Sequence, residues 1–232
     1  MRFQIRVGRG RRGATSLDNR CPKAAAFAGK LKVMGFGSAQ PLVSTAAWAA
    51  GSYLVAAGLD EAAGSHFDVS LLAAAVCLAG ALYANLFEHA WHRYGMHSRR
   101  PDPRHATHHR VFYGKNFRTS DPVALREIVT AWYVFPLLLA VHYSTFRALF
   151  GAGLAPAFFL GVVLHFVTYE VTHWYTHVAN NRFDRFIARI PGLRELRAAQ
   201  IHHHRLHHAD PIVNFNFNPP YAGDWIGGVL RR

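Results

Sequence analysis

At 232 residues the chain has room for one domain and little more. Apolar residues make up 51% of it while mean hydropathy is only +0.03, so strongly apolar segments must be offset by strongly polar ones. A formal charge of +13, from 26 Lys and Arg against 13 Asp and Glu, calls for an anionic membrane surface, nucleic acid or an acidic partner; no Gly-rich phosphate loop, zinc finger or basic–aromatic motif supports nucleic acid.

Residues 1–40 carry nine Lys or Arg and a single acid, Asp18, without a clean period, and read as a disordered basic tail on the cytosolic side. Arg11-Arg12 lacks the apolar stretch that follows a twin-arginine signal, while an Arg-rich, acid-poor transit peptide is the alternative reading. Cys21 falls in this tail and Cys77 in an apolar run, which argues against a disulfide, and no zinc-type Cys spacing exists.

Residues 41–232 form the second region. Four apolar stretches run roughly from Pro41 to Leu59, Val69 to Phe87, Ile128 to Tyr143 and Gly153 to Val171. Each approaches the ~20 residues that span a bilayer core. Residues 60–68 hold Asp60, Glu61 and Asp68 and no cation, and residues 144–152 hold only Arg147. The remaining 25 cationic residues fall on one side of a four-span chain, which the positive-inside rule makes the cytosol. The expected fold is therefore all-α: an integral membrane protein of four transmembrane helices under a cytosolic helical cap, both termini cytosolic, in a bacterial inner membrane or endoplasmic reticulum.

The chain has 16 histidines, and 13 of them lie in two windows, 89–109 and 173–208. Both windows begin where a span meets the cytosol, so the topology brings sequence-distant clusters to one membrane face. His105, His108 and His109 stand at i, i+3 and i+4, as do His204, His207 and His208; His173 and His177 stand at i and i+4. On a helix such side chains share a face within about 5–6 Å and can grip one metal ion. His92 and His97 are five apart, about 140° around an ideal α-helix. Gly95 lies between them, and the second helix is expected to end or bend there. These ten histidines suffice for two metals. Imidazole alone does not select among Zn, Cu, Fe and Ni, although the lack of cysteine ligands counts against structural zinc. Glu88 and Glu170 precede His92 and His173 by one helical turn, placed either to accept the second N–H of those rings or to serve as interfacial caps or ion-pair partners of a nearby Arg.

The segments Glu88–His97, His105–His109, Tyr169–His177 and His204–His208 resemble the four histidine boxes of the fatty acid hydroxylase superfamily, which includes fatty acid 2-hydroxylases, sterol methyl oxidases and desaturases and is related to carotenoid ring hydroxylases. The likeness covers residues 68 to about 228. It implies two Fe ions on His92, His97, His105, His108, His109, His173, His177, His204, His207 and His208, with zinc able to replace iron on purification. It also implies O2 as co-substrate and a lipid monooxygenase (an oxidoreductase of lipid biosynthesis) that hydroxylates a C–H bond of an acyl chain. No flavin or nicotinamide fingerprint is present, so electrons are expected from NAD(P)H through a separate ferredoxin or cytochrome b5-type carrier, steered by the basic face. Seven residues between His97 and His105 are fewer than in fatty acid 2-hydroxylases and nearer the carotenoid enzymes, whereas Thr172–His177 looks like the former. A carotenoid ring hydroxylase or lipid desaturase stands as the alternative within the class. A histidine-rich metal transporter is the rival outside it, although transporter sites lie near the bilayer midplane.

Other residues get plainer readings. His89 is a surface or outer-layer side chain and His165 a hydrogen-bonded packing histidine. His142 and His66 sit near the far interface, without chemistry. Trp91, Trp132, Trp174 and Tyr175 read as interfacial anchors. Asn214–Phe217 and Asp224-Trp225 are assigned to structure.

Overall fold

The computed structural model describes residues 40–62, 64, 70–128 and 133–231. The basic tail expected over residues 1–40, His66 and Trp132 lie outside the described residues, apart from Gln40 at the start of the first helix. Among the described residues the chain is helical, without strands; an isolated bridge joins Thr119 and Val178.

Helix α1 (Gln40–Ala62) is followed by α2 (Leu71–Ala90), which Ser70 caps by accepting from the Ala73 N–H. A π-helical turn, Trp91–Met96, continues α2 without a break. Helix α3 (Pro103–Val111) starts at Asp102, whose carboxylate accepts from the Arg104 and His105 N–H groups, with proline at the first turn. Two 3-10 turns, Gly114–Phe117 and Ala124–Glu127, lead to α4 (Val134–Leu138), a second π-helical turn (Leu139–Tyr143) and α5 (Ser144–Phe150). The third apolar stretch expected over residues 128–143 thus sits later in the chain. The long α6 (Ala155–His177) comes next, then α7 (Arg182–Ile187), α8 (Leu193–Ala209) and α9 (Ala222–Ile226).

Helices α2 and α6 form the axis of the fold, and glycines let them approach. A Cβ on Gly161 would fall 1.9 Å from the Cys77 carbonyl oxygen, and one on Gly80 2.1 Å from that of Phe158. Small residues at a crossing let two backbones meet directly. Helix α1 lies against α6, and Ala49, Ala56, Ala84, Phe135, Phe159 and Val162 fill one core between these helices and α4. At the end of this bundle away from the histidines, buried Asp60 accepts from Tyr143 Oη (2.6 Å), Arg147 Nε (2.8 Å) and Gly153 N (2.9 Å), tying α1 to α5 and the turn before α6.

Two helical stretches, Leu71–Met96 and Ala155–His177, are long and apolar enough to cross a membrane, and Val134–Phe150 is a shorter apolar helix. The outward faces are apolar too: Leu54, Leu71, Leu72 and Leu78 are all more than half exposed. Trp174, by contrast, is buried against Phe112, Leu125 and Ile128, a core side chain rather than the anchor its position suggested.

Candidate metal centre

The histidines gather where α2, α3, α6 and α8 end together, and each helix supplies them by its own periodicity. Helix α3 presents His105, His108 and His109. Helix α8 presents His204, His207 and His208, all buried. His173 and His177 close the last turn of α6. The π-helical turn after α2 resolves the five-residue spacing: the His97 N–H donates to the His92 carbonyl at 3.0 Å. That i→i+5 bond brings the two rings to the same side, with centroids 5.0 Å apart. The helix therefore widens through Gly95 and ends one residue later, at Met96, close to where an end was expected.

Nine of the ten histidines fall into two groups, each with ligand nitrogens close enough to share one ion. His92, His97, His105, His109 and His207 form the first; His108, His177, His204 and His208 form the second. His173 stands beside the second, its ring 5.0 Å from those of His108 and His177 and 4.8 Å from His204. The groups adjoin, since the His109 ring stacks on His208 at 4.3 Å.

Nitrogen spacing tests whether a metal fits. In the first group Nε2 atoms face one another at 2.9 to 3.1 Å: His105 against His92, His97 and His109, and His207 against His97 and His109. In the second, His204 Nε2 lies 3.0 Å from that of His177 and 3.1 Å from that of His208. Two ligands about 2.1 Å from a shared ion and at right angles lie about 3.0 Å apart. Tautomers agree. The Nδ1 of His92 donates to the Phe215 carbonyl, that of His177 to Phe117 (2.8 Å) and that of His207 to Val213 (2.7 Å). A carbonyl only accepts, so in these neutral rings Nε2 carries the lone pair, turned inward. Both ring nitrogens of His108 and Nδ1 of His208 are buried without a hydrogen-bond partner among the described residues. Inward lone pairs and unsatisfied nitrogens suit a cation and little else.

Burial keeps the rings in their ligating form. It lowers His97 from the ordinary 6.5 to about 4. Burial and the neighbouring His97 lower His109 to about 3. His105, His108, His204, His207 and His208 are likewise pushed down, by burial first and then by other histidines. All are neutral at pH 7.

The segment Asn214–Asn218 forms the floor, and its alternation explains its sequence. It begins at Asn214, whose φ is +54°, and its side chains then divide between two sets of partners. Phe215 lies against His92, His97 and His207, with centroids 5.6 to 5.8 Å away, and Phe217 against His204 (4.8 Å) and His173 (5.2 Å). The asparagines face the helices: Asn214 donates to the His203 carbonyl, Asn216 to that of Asn85, and Asn218 to that of His165. Asp224 locks this strip. Its carboxylate accepts from His89 Nδ1 (2.8 Å), His203 Nε2 (3.1 Å) and the Phe215 and Asn216 N–H groups. Burial alone would raise the Asp224 carboxyl, but the bonds from His203 and His89 outweigh it and hold the pKa below its ordinary value.

Several expected roles change. Glu88 does not hold His92; it accepts from His165 Nε2 at 2.7 Å and from the Phe217 N–H, while the Phe215 carbonyl takes the His92 proton. Glu170 is buried, and the Nδ1 of His173 has no hydrogen-bond partner among the described residues. His89 is buried on Asp224, and His142 is buried with its Nδ1 2.8 Å from Tyr83 Oη. The Asp224 hub and the two floor phenylalanines were missed as parts of the site; the Asn-Phe alternation was the available signal. No family model, curated protein or solved structure matches the chain, so the geometry of the histidines carries the functional reading.

Proposed function

We propose that the chain is a membrane-embedded oxidoreductase that holds two iron ions in the adjoining histidine groups and hydroxylates a C–H bond of a lipid acyl chain. The observation that carries this reading is the pair of all-histidine groups at one end of an apolar helical bundle. The resemblance of the four boxes to the fatty acid hydroxylase superfamily supports it, as does the exposed leucine surface of α1 and α2, which suits lipid better than water. In this reading α1, α2, the α4–α5 segment and α6 are four spans with both termini cytosolic, and α3 and α8 belong to the cap. Bound there, two irons supply dioxygen activation and the one-electron steps that imidazole cannot perform alone. The chain's own residues hold the rings neutral, aim Nε2 inward through backbone carbonyls and line the floor with Phe215 and Phe217, which keep water out. Electrons come from a reduced ferredoxin or cytochrome b5-type protein drawn to the cationic face.

The test is lipid analysis of membranes containing the chain, supplied with NAD(P)H, O2 and a soluble carrier system. The expected outcome is oxygen-dependent gain of one oxygen atom in an acyl lipid, abolished by omitting the carrier and by His108→Ala with His109→Ala. Loss of two hydrogens without gain of oxygen would move the assignment to a desaturase, and oxidation of a ring-bearing polyene to a carotenoid hydroxylase. No oxygen-dependent change in any lipid would overturn it.

A further inference from the structure

Beside the histidine groups, and separate from them, a cleft of about 360 Å³ runs along α6 under α7 and α8. Its volume lies in the range of small-molecule sites. Helix α6 lines it from Leu164 to Thr172, about 12 Å of helix at 1.5 Å per residue. Its open side is apolar, with Leu193 and Leu196 about half exposed.

Its other end is polar and carries an imbalance of charge. Arg197 lines the cleft, and its side chain is only 7% exposed. Nε donates to Asp184 at 2.9 Å and Nη1 to Gln200 Oε1 at 2.6 Å, but Nη2 is buried with no hydrogen-bond partner among the described residues. Asp184 is already bound by Arg118 at 2.8 Å, so two guanidiniums share one carboxylate. The amide of Gln200 is spent on Asn218 Oδ1 (3.0 Å) and Thr172 Oγ1 (3.3 Å). A buried cation with an unused donor is costly unless an acceptor completes it.

We infer that this cleft is a binding site for a single-chain lipid with an acidic head group, the head meeting Arg197 and the chain lying along α6 between Leu164 and the leucines of α8. Fatty carboxylate is the ligand of choice: a carboxylate is planar and matches a guanidinium edge, and an unbranched chain can follow the apolar line of α6 and α8. The inference does not rest on the metal reading, because none of the histidines in the two groups lines the cleft.

The experiment uses the full chain in detergent, with and without chelator, and a photoreactive diazirine analogue of oleate. Labelled peptides are mapped, with oleate and oleyl alcohol as competitors. Labelling is expected to concentrate on residues 187–200 and 164–172, with oleate competing at least tenfold better than the alcohol, whether or not metal is present. Arg197→Gln is expected to weaken competition by about tenfold, the loss of one charge-assisted hydrogen bond. Leu196→Trp leaves the Arg197–Asp184 pair intact and fills the mouth, so it is expected to reduce labelling as strongly while metal content stays unchanged. Equal competition by acid and alcohol, labelling spread along all the apolar helices, or full labelling of Leu196→Trp would overturn the inference. Failure of the unaltered chain to bind metal, with oleate labelling preserved, would count against the proposed enzyme and leave this site standing.

Discussion

In the first histidine group three of the five side chains, His97, His105 and His109, are half-buried; in the second all four are buried. The first is assembled from the π-helical turn, α3 and α8, with Phe215 beneath it. The second is closed on several sides: Phe112 against His108 and His177, Phe117 against His177 and His208, and Phe217 against His204. Ligand chemistry is the same in both, so enclosure is what separates them. A site open on one side exchanges ions and admits small molecules, while a site sheathed in phenylalanine holds its ion in a low dielectric and gives it up slowly. In the proposed metal centre the open group would thus be the point of entry and the closed group its fixed neighbour.

The change expected to matter most erases the comparison by removing both groups at once. Gly161→Leu drives a side chain into the Cys77 carbonyl at a position where even a Cβ falls within 1.9 Å. Overpacking of this kind costs about 1–3 kcal/mol or more. Because α2 and α6 carry ligands for different groups, elemental analysis should show both ions lost together. Retention of one would mean that the groups form independently of this crossing.

Next in size is His204→Ala with His208→Ala, which leaves His108 and His177 to the second group. Bound metal should fall by half, with the first group still loaded; removing His97 and His109 instead should spare the second. Equal loss from either pair would show that the two groups are one cooperative site. A smaller effect is kinetic. Under a chelator, metal should leave in two phases, the open group first and about tenfold faster, within the range that a changed surrounding shell produces. A single phase would erase the distinction. The smallest expected effect is Asp224→Asn, which weakens the anchorage of Phe215 and, through its carbonyl, the orientation of His92. Affinity of the first group should fall about tenfold, with less change in the second. His202→Ala is the control, because that ring is exposed while its neighbour His203 bonds to Asp224.

These outcomes also mark what could be read before the fold was known. The i, i+3, i+4 spacing in α3 and α8 needs only the helical period, so His105, His108, His109, His204, His207 and His208 were visible as sets. The pairing of His92 with His97 was obscured because the same rule, applied to five residues, turns them apart; it assumes an α-turn where the backbone forms a π-turn. Partners of the ligands were hardest. Glu88 sits one turn before His92 and looks like its acceptor, yet the acceptor is the carbonyl of Phe215, 123 residues away. The bond that His89 donates to Asp224 spans 135 residues. Local periodicity carries no information over such distances, and Asp224 has no pattern around it that marks a hub. The apolar helices were legible from composition, but their crossing is set by Gly80 and Gly161, which local sequence does not distinguish from other glycines.

The π-turn at Trp91–Met96 has a consequence for how this stretch tolerates change in length. A π-turn is what an α-helix becomes when it absorbs one additional residue without letting go of its ends. Removing that residue, at exposed Tyr94 for example, would leave the two histidines four apart, and an ordinary α-helix sets such a pair about 40° from each other on one face. A one-codon deletion here would therefore exchange one kind of helix for another and keep the grip. The same deletion inside His105–His109 or His204–His208 would rotate one ligand off its face by about 100°. Of the intervals within these boxes, the one between the first two histidines is therefore the one that can lose a residue and keep its rings on one face.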